Sequence, residues 1–534
     1  MILLTIMSPL FMLPLVGLGI DGGRGYIVQS KLSAAVDGAA LGAGRLIGTN
    51  ANIQEIAGEF LHVNFPQGYW GTVNYNENIT YVRNNGTDTI TVTASADLPL
   101  TFIRLLGLNL AHVSATGVVT RKVTRVVLVL DRSGSMDHND PVTGQNVFQA
   151  MKTGSLWFAS HFTPGYDEVG LVVYNGSAIV GYPTTRPYDS SPTSNGGPDK
   201  QFATDAQNQI GPIFDSLRTM DVGGGTGTVE GLSLAFIELQ KAHNRDLAAN
   251  GVDNVQNTIV LFTDGVPNAL AVYANDPANN SLQLPAQTAC VNNPATANQP
   301  ATQMKGYMVP PGSPPGPSVS FPGWGYPSNQ VYGLVDLAAY DNNHTLNWWL
   351  GSGGASDLSK MVPTSAVNGC VYLNASTPRV DDLAKVPTSD IYGNNTTGLA
   401  YNNSLLDDGV HAPYHPNTGA ANFNDPAGKI LAGYTASNHK YTGYNIAAGA
   451  WNACDDAANR IRSQTAMNPI QIFTIGYTGN GGVDTALLNA ISNTPQSYRY
   501  DSTQPPGKFY KVTTTTALTD AFNAVASQVM RLAQ

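Results

Sequence analysis

The stretch Arg125-Val-Val-Leu-Val-Leu130 runs without a break into Asp131-Arg-Ser-Gly-Ser-Met136. The first part is an apolar run rich in β-branched side chains, which reads as a strand buried on both faces. The second part is short, polar and carries a glycine, so the chain turns there. From Asn146 to His161 the pattern becomes helical. Strand, loop and helix in this order form the unit of an open α/β sheet, in which loops at the carboxyl ends of strands line the ligand crevice. Asp131 can supply charge, Ser133 and Ser135 add two hydroxyls, and Gly134 lets the loop bend so that all three reach one point. Oxygen donors gathered in this way invite a hard cation.

Two later segments again place oxygen donors at the end of an element. Asp221-Val-Gly-Gly-Gly-Thr226-Gly-Thr228 precedes a helical run from Val229 to His243, and Thr258 to Thr263 is a second apolar strand that ends in Asp264-Gly265. Between them, Glu168 to Tyr174 and Ser177 to Tyr182 read as paired strands and Asp205 to Leu217 as a helix. The tail supplies helices over Tyr444 to Ser463, Asp484 to Ile491 and Thr516 to Leu532, with strands over Pro469 to Tyr477 and Tyr498 to Tyr500. Strands alternating with helices over such a span predict an α/β fold with a doubly wound, mainly parallel sheet.

The three motifs together resemble the metal-ion-dependent adhesion site of von Willebrand factor type A domains. The resemblance implies a Rossmann-like domain in which Asp131, Ser133 and Ser135 are metal ligands from the first loop, Thr226 from the second and Asp264 from the third. It implies Mg²⁺, or another divalent cation such as Mn²⁺ or Ca²⁺, with a coordination position left for an acidic residue of a protein partner. Thr228 is a neighbouring hydroxyl, read as the cap of the helix that follows. Asp137, Asn139 and Asp140 could suggest a calcium loop, but no bidentate Glu stands at the required position and a solvated turn is the better reading.

The N-terminal end carries a different signal. No charged residue occurs from Ile2 to Ile20. About 19 helical residues at roughly 1.5 Å each cover most of a roughly 30 Å hydrocarbon layer, so residues 1–20 read as a transmembrane anchor. A cleaved signal peptide has a shorter apolar region. Arg24, Lys31 and Arg45 follow the run and no Lys or Arg precedes it, so the positive-inside rule alone would not place the N-terminus in the cytoplasm; either the start is short or processed, or orientation rests on the large translocated domain. Val28, Leu32, Ala35, Ala39, Ala43 and Leu46 recur at spacings of three and four, which continues the helix as an amphipathic stalk. Residues 19–45, from Gly-Ile-Asp-Gly-Gly-Arg through Ala-Ala-Val-Asp-Gly-Ala-Ala, resemble the N-terminal region of TadG-like Flp-pilus assembly proteins. The resemblance implies a pilin-like membrane helix, a single pass through the bacterial inner membrane, and a large domain in the periplasm or at the cell surface. It also implies partners among Flp pilus or Tad secretion components. Thr72 to Arg83, Thr87 to Asp97 and His112 to Thr124 alternate as strands and Thr101 to Leu108 reads as a short apolar helix. Residues 21–120 thus form the stalk and a small α+β region, and the type A domain takes 121–534.

From about residue 266 to 440 the pattern breaks into Pro, Gly, Asn, Tyr and Ser without a strong period, including Pro310-Pro311-Gly312-Ser313-Pro314-Pro315-Gly316-Pro317. An insertion of this size directly after Asp264 emerges on the face of the predicted site, and is expected either to flank or cover it and shape partner choice, or to be a variable surface excursion with no role. Its Trp324, Trp348 and Trp349 serve equally well as contacts or as a local mini-core. His411 and His415 have metal-like spacing, but Pro413 disrupts the helix that would align them. Cys290 and Cys370 both lie in the insertion and are the pair a disulfide would join, whereas Cys454 lies in a helical run and is expected to be buried.

Charged residues make up 12% of the 534, the net charge is −10 and no Lys/Arg run occurs, so the basic footprint that nucleic acid requires is missing. The 55 Gly and 33 Pro suit an extracytoplasmic surface. A phosphoryl-transfer hydrolase also begins with Asp after a strand. Its second acid would stand where Ser133 is, and the motifs hold no general base, so the chain reads as non-enzymatic. The expected function is membrane-anchored adhesion or pilus assembly through a metal-held partner carboxylate. The alternative is a structural, minor pilin-like assembly factor in which the metal only stabilises the fold.

Overall fold

The structure, a computed structural model, describes residues 2–49, 51–84, 86–175, 178–182, 202–220, 222, 226–267, 269–273, 305–308, 331–333, 389–390, 392–396, 442–479, 483–497 and 499–532. Side chains are not described at 2–15, 105–106, 179, 271–273, 305–308, 331–333 and 442–448. Cys290, Cys370, Trp324, Trp348, Trp349, His411, His415 and the Pro310–Pro317 run lie outside the described residues. The chain divides into two compact units, Met1–Val123 with Arg531–Gln534, and Thr124–Met530.

In the first unit α1 (Ile2–Gly44) is one unbroken helix that continues past residue 20. Val28, Leu32, Ala35, Val36, Ala39, Ala40 and Ala43 are buried along one side, at the spacing that marks an amphipathic stalk. They pack on an antiparallel meander of β1 (Val73–Asn84), β2 (Thr87–Pro99) and β3 (Leu110–Lys122). Burial alternates regularly along β2, with Ile90, Val92, Ala94, Ala96 and Leu98 inward. At Gly117 of β3 a Cβ would lie 2.7 Å from the Val36 carbonyl oxygen, so this close meeting of strand and helix requires glycine. The sequence reading passes over α2 (Ile53–Asn64), although Asn52 caps it by accepting the Glu55 N–H, and Ile53, Ala57 and Leu61 are buried at helical spacing. Thr101 to Leu108 is not an α-helix. It holds a single 3-10 turn, Ile103–Leu106, ended by Gly107 at φ 89°. Among the described residues no helix is long and apolar enough to cross a membrane. The part of α1 with described side chains starts at Val16 and soon meets Asp21, Arg24 and Lys31, while the expected anchor rests mostly on residues before it.

The second unit is built on β4 (Thr124–Asp131), which is buried along its whole length. It is joined by β5 (Glu168–Tyr174), β6 (Ala178–Tyr182) and β7 (Gln256–Thr263). Directly after β7 the insertion is not structureless. Among the described residues, β8 (Leu270–Tyr273), β9 (Lys305–Met308) and β10 (Val331–Gly333) form a separate antiparallel sheet in the order β10-β9-β8. The main sheet is completed by β11 (Ile470–Tyr477) and β12 (Lys508–Val512), giving the order β12-β11-β7-β4-β5-β6. Neighbours are parallel except β5 and β6. The chain therefore walks outward from β4 through β5 to β6, then returns to β7 on the other side of β4. The gap between the carboxyl ends of β4 and β7 is the switch point of a doubly wound sheet, where ligands bind.

Among the described residues six helices cover the sheet: α3 (Val147–Ser160), α4 (Pro212–Thr219), α5 (Thr228–Asn250), α6 (Thr442–Ser463), α7 (Thr485–Ile491) and α8 (Thr515–Leu532). On one face α5 lies against β4 and β5, so close that a Cβ on Gly231 would meet Tyr174 and Val129 at 2.8 Å, and α6 and α7 pack beside it. On the other face α3 and α8 meet through Phe158 and Phe522, whose rings are 6.3 Å apart, and Phe522 also packs 5.9 Å from Phe262 of β7. Two expectations are corrected. Residues 205–211 are a turn rather than the start of a helix, because the Asp205 carboxylate accepts the Asn208 N–H and Gly211 at φ 133° breaks the path, so α4 starts at Pro212. Arg499 and Tyr500 lie in a turn. The edge strand is β12 instead, whose mixed charged and apolar residues and partly exposed pattern hide it from periodicity.

At the amino end of β4 the buried Arg125 guanidinium donates to Glu168 at 2.6 Å, Asp246 at 2.6 Å and Asp253 at 3.0 Å. Arg245 bonds Asp246, and His243 bonds Asp253, both at 2.7 Å. This network joins β4, β5 and α5. Arg125→Ala would take the central countercharge from three carboxylates in the interior and is expected to destabilise the second unit by about 3–5 kcal/mol. The shift of its urea midpoint, followed by tryptophan fluorescence, measures the effect.

Candidate metal centre

The parallel register sets Leu130 beside Phe262, so Asp131 closes β4 next to Thr263, and Asp264 is the first residue past β7. Both carboxylates are fully buried. The Thr263 hydroxyl donates to Asp131 Oδ2 at 2.6 Å and the Ser133 N–H donates to Asp131 Oδ1 at 2.8 Å. Ser135 Oγ donates to Asp264 Oδ1 at 2.6 Å, which leaves Ser133 Oγ as the donor to Ser135 Oγ at 2.9 Å. A chain of hydroxyls thus runs from the first loop to the third, each with an oxygen lone pair to spare. Thr226 is buried ahead of α5, and its carbonyl accepts the Ala269 N–H at 3.2 Å. A Cβ on Gly265 would sit 3.4 Å from Thr226 Oγ1 and 3.5 Å from Ser135 Oγ, so the second-loop hydroxyl and the first-loop hydroxyl face each other across this glycine. All five residues singled out in the sequence meet at one switch point. Gly134 and Ser135 are exposed, so the cluster opens to solvent.

Several neighbours escaped sequence reading. Thr263 is visible in hindsight as the hydroxyl before Asp264. His138 donates from Nδ1 to the Ser135 carbonyl at 2.6 Å and lies 3.9 Å from Asp264 Oδ2, with its ring 5.7 Å from Tyr477 at the end of β11. Burial and the Asp140 carboxylate push the Tyr477 hydroxyl up to about 12, so it stays protonated at neutral pH. The Tyr174 hydroxyl of β5 donates to the Phe262 carbonyl of β7 at 3.0 Å, bracing the strands on either side of β4. Thr228 does not cap α5. The cap position is Gly227, and no side chain serves there. Asp140 is a structural turn residue but a buried one, contrary to the solvated reading. Its carboxylate takes the N–H groups of Val142 at 2.8 Å and Thr515 at 2.5 Å, and these outweigh burial and hold it at about 2.

The donor set is all oxygen, which is the chemistry a hard cation takes. Burying a carboxylate is costly unless positive charge compensates it. Burial pushes Asp131 up from 3.8 to about 6 even though Ser133 and Thr263 hydrogen-bond to it. Among the described residues no cluster of three or more His, Cys, Asp or Glu is placed to hold a metal. Two carboxylates and three hydroxyls are a different, all-oxygen set, suited to Mg²⁺, Mn²⁺ or Ca²⁺ rather than to zinc. The residues present fit a divalent ion.

Comparison with known proteins assigns two segments. Residues 126–266 match the von Willebrand factor type A domain, and residues 1–46 match the putative Flp pilus-assembly TadE/G-like family. No curated protein matches the chain. Solved structures with some likeness include the PilB minor pilin from Streptococcus sanguinis, at 13% identity over 86% of this chain and 79% of that one, with a TM-score of 0.33. The pilus adhesin SpaC from Lactobacillus rhamnosus GG is 14% identical over 86% of this chain and 34% of its own, with a TM-score of 0.31. The vWF domain of the type V pili tip protein Mfa5 from Porphyromonas gingivalis is 16% identical over 78% and 97%, with a TM-score of 0.30. On its two matched segments, this chain joins a TadE/G-like Flp pilus-assembly region to a von Willebrand factor type A domain.

Proposed function

We propose that this protein is a pilus-associated adhesion or assembly protein that captures an acidic residue of a protein partner at a divalent metal held by Asp131, Ser133, Ser135, Thr226 and Asp264. The observation that carries the reading is the hydrogen-bonded run from Ser133 through Ser135 to Asp264, beside a fully buried Asp131, at the switch point of the sheet. A divalent ion there would supply an electrophilic position open to a partner carboxylate. The chain's own residues do the rest. Asp131 and Asp264 neutralise charge, while the serine hydroxyls keep their protons on one another and on Asp264, leaving lone pairs for coordination. Thr263 holds Asp131 in place, and Gly265 keeps the space between Thr226 and Ser135 clear. No general base is assigned and the role is binding, not turnover. The TadE/G-like match at residues 1–46 supports a place among Flp pilus or Tad components. The uncharged run Ile2–Ile20 supports an inner-membrane attachment through α1, with the second unit in the periplasm or at the cell surface. The β8–β10 sheet starts a few residues past Asp264 and supports a part for the insertion in partner choice.

Asp131→Ala, or EDTA, is expected to abolish capture of an acidic partner while leaving the circular dichroism of the full chain unchanged. If the metal raises the melting temperature and capture ignores chelation, the metal serves stability alone. Thr263→Val keeps every proposed ligand and is expected to weaken Mn²⁺ binding roughly 10–100-fold by calorimetry, because an unsupported ligand is poorly oriented.

Protons compete with the ion for Asp131, so divalent affinity should fall as pH drops through about 6. Without metal the sign reverses. A raised carboxyl favours its neutral form in the folded state, so Asp131 costs nothing below 3.8, costs progressively more up to about 6 and its full amount above. In EDTA, Asp131→Asn should therefore gain more stability at about pH 8 than at about pH 5, read as urea midpoints.

A further inference from the structure

One end of the first unit gathers apolar and aromatic side chains around α1. The β2–β3 connection reads Thr101-Phe-Ile-Arg-Leu-Leu-Gly-Leu-Asn-Leu110, an apolar tip where a solvent-facing hairpin would carry polar turn residues. Leu108 and Leu110 are 61% and 46% exposed. Trp70, in the turn before β1, is 49% exposed. On α1 itself Val16, Leu18 and Ile20 are exposed as well.

These segments are fastened at one level of the helix. Asp21 of α1, fully buried, accepts the backbone N–H groups of Thr101 at 3.1 Å, Phe102 at 2.8 Å and Ile103 at 2.9 Å. One turn on, Arg24 donates to Thr101 Oγ1 at 2.9 Å and to the Trp70 carbonyl at 3.4 Å. One turn back, Gly17 admits Phe102, whose Cβ would lie 2.3 Å from a Cβ built there. The helix, the Trp70 turn and the apolar tip are thereby locked together where the uncharged run Ile2–Ile20 ends.

The geometry points to this end as a lipid-facing collar, in which the β2–β3 tip and Trp70 enter the headgroup region beside α1. The inference rests on the membrane reading of α1. An uncharged helix that enters a bilayer brings its first charged residues to the interface, and Asp21 and Arg24 fix the tip at that depth. Leu108 and Leu110 are then immersed rather than left in water. Trp70 takes the interfacial position that aromatic rings favour, and the exposed Arg104 meets anionic headgroups. A protein partner covering the same tip would have no need of a tip clamped to the level at which the apolar helix ends.

The test uses the full chain reconstituted in vesicles of equal phosphatidylethanolamine and phosphatidylglycerol. Leu108→Cys carries an environment-sensitive fluorophore, with the labelled parent chain as background. Val82→Cys is the control, exposed on β1 and roughly 30 Å away along the sheet from the tip. The collar predicts that the Leu108 probe is quenched by nitroxide-bearing lipids and several-fold less by aqueous iodide than the Val82 probe. If the chain fails to float with vesicles, the membrane reading and the collar fall together. If it floats but iodide quenches both probes equally, the collar falls alone. A Leu108 probe shielded from both quenchers, with disulfide cross-links between copies of Leu108→Cys, would replace the lipid by a neighbouring chain.

Discussion

Everything in the second unit depends on β4 and β7 lying side by side and parallel. That pairing brings two strand ends, far apart in sequence, to one edge, so Asp131 and Asp264 become neighbours. Because β5 and β6 extend the sheet on one side of β4 and β11 and β12 extend it beyond β7, helices cross on opposite faces and leave a gap above this pair. The polar cluster lies in that gap, at the ends of the two strands. The rest of the sheet is apolar packing that keeps the two ends from moving relative to one another.

The two ends of β4 handle charge in opposite ways. At the amino end Arg125 is surrounded by Glu168, Asp246 and Asp253, so the buried charges answer one another within the protein. At the carboxyl end two carboxylates are buried among hydroxyls and backbone N–H groups, and Asp131 is pushed toward its neutral form. The Thr263 hydroxyl and the Ser133 N–H satisfy the Asp131 oxygens there. A closed ionic network suits a structural role, and a carboxylate cluster opening to solvent at Ser135 suits an incoming cation.

In the first unit a single buried carboxylate has a comparable organising role. Asp21 gathers three consecutive backbone N–H groups that would otherwise have no partner at the head of a 3-10 turn, and so closes the β2–β3 connection against α1. Further along the helix small side chains take over. Ala35, Ala39 and Ala43 bury without bulk, and Gly117 lets β3 touch the Val36 carbonyl. One helix therefore carries polar fastening near its middle and close apolar packing over its C-terminal half.

Local patterns sufficed for much of this. The apolar runs before Asp131 and Asp264, the helical spacing on α1 and the alternation in β2 each follow from a single element's need to bury one face, which its own residues record. The donor residues were legible because short oxygen-bearing side chains and glycine at strand ends have few other uses. The strand order was not, since it depends on which side of β4 the chain returns to. Thr263 supporting Asp131 across 132 residues, Asp21 reaching Thr101 across 80, the edge strand β12 and the β8–β10 sheet were equally hidden. Each of these rests on a contact between segments distant in the chain, and no residue's immediate neighbours encode such a contact.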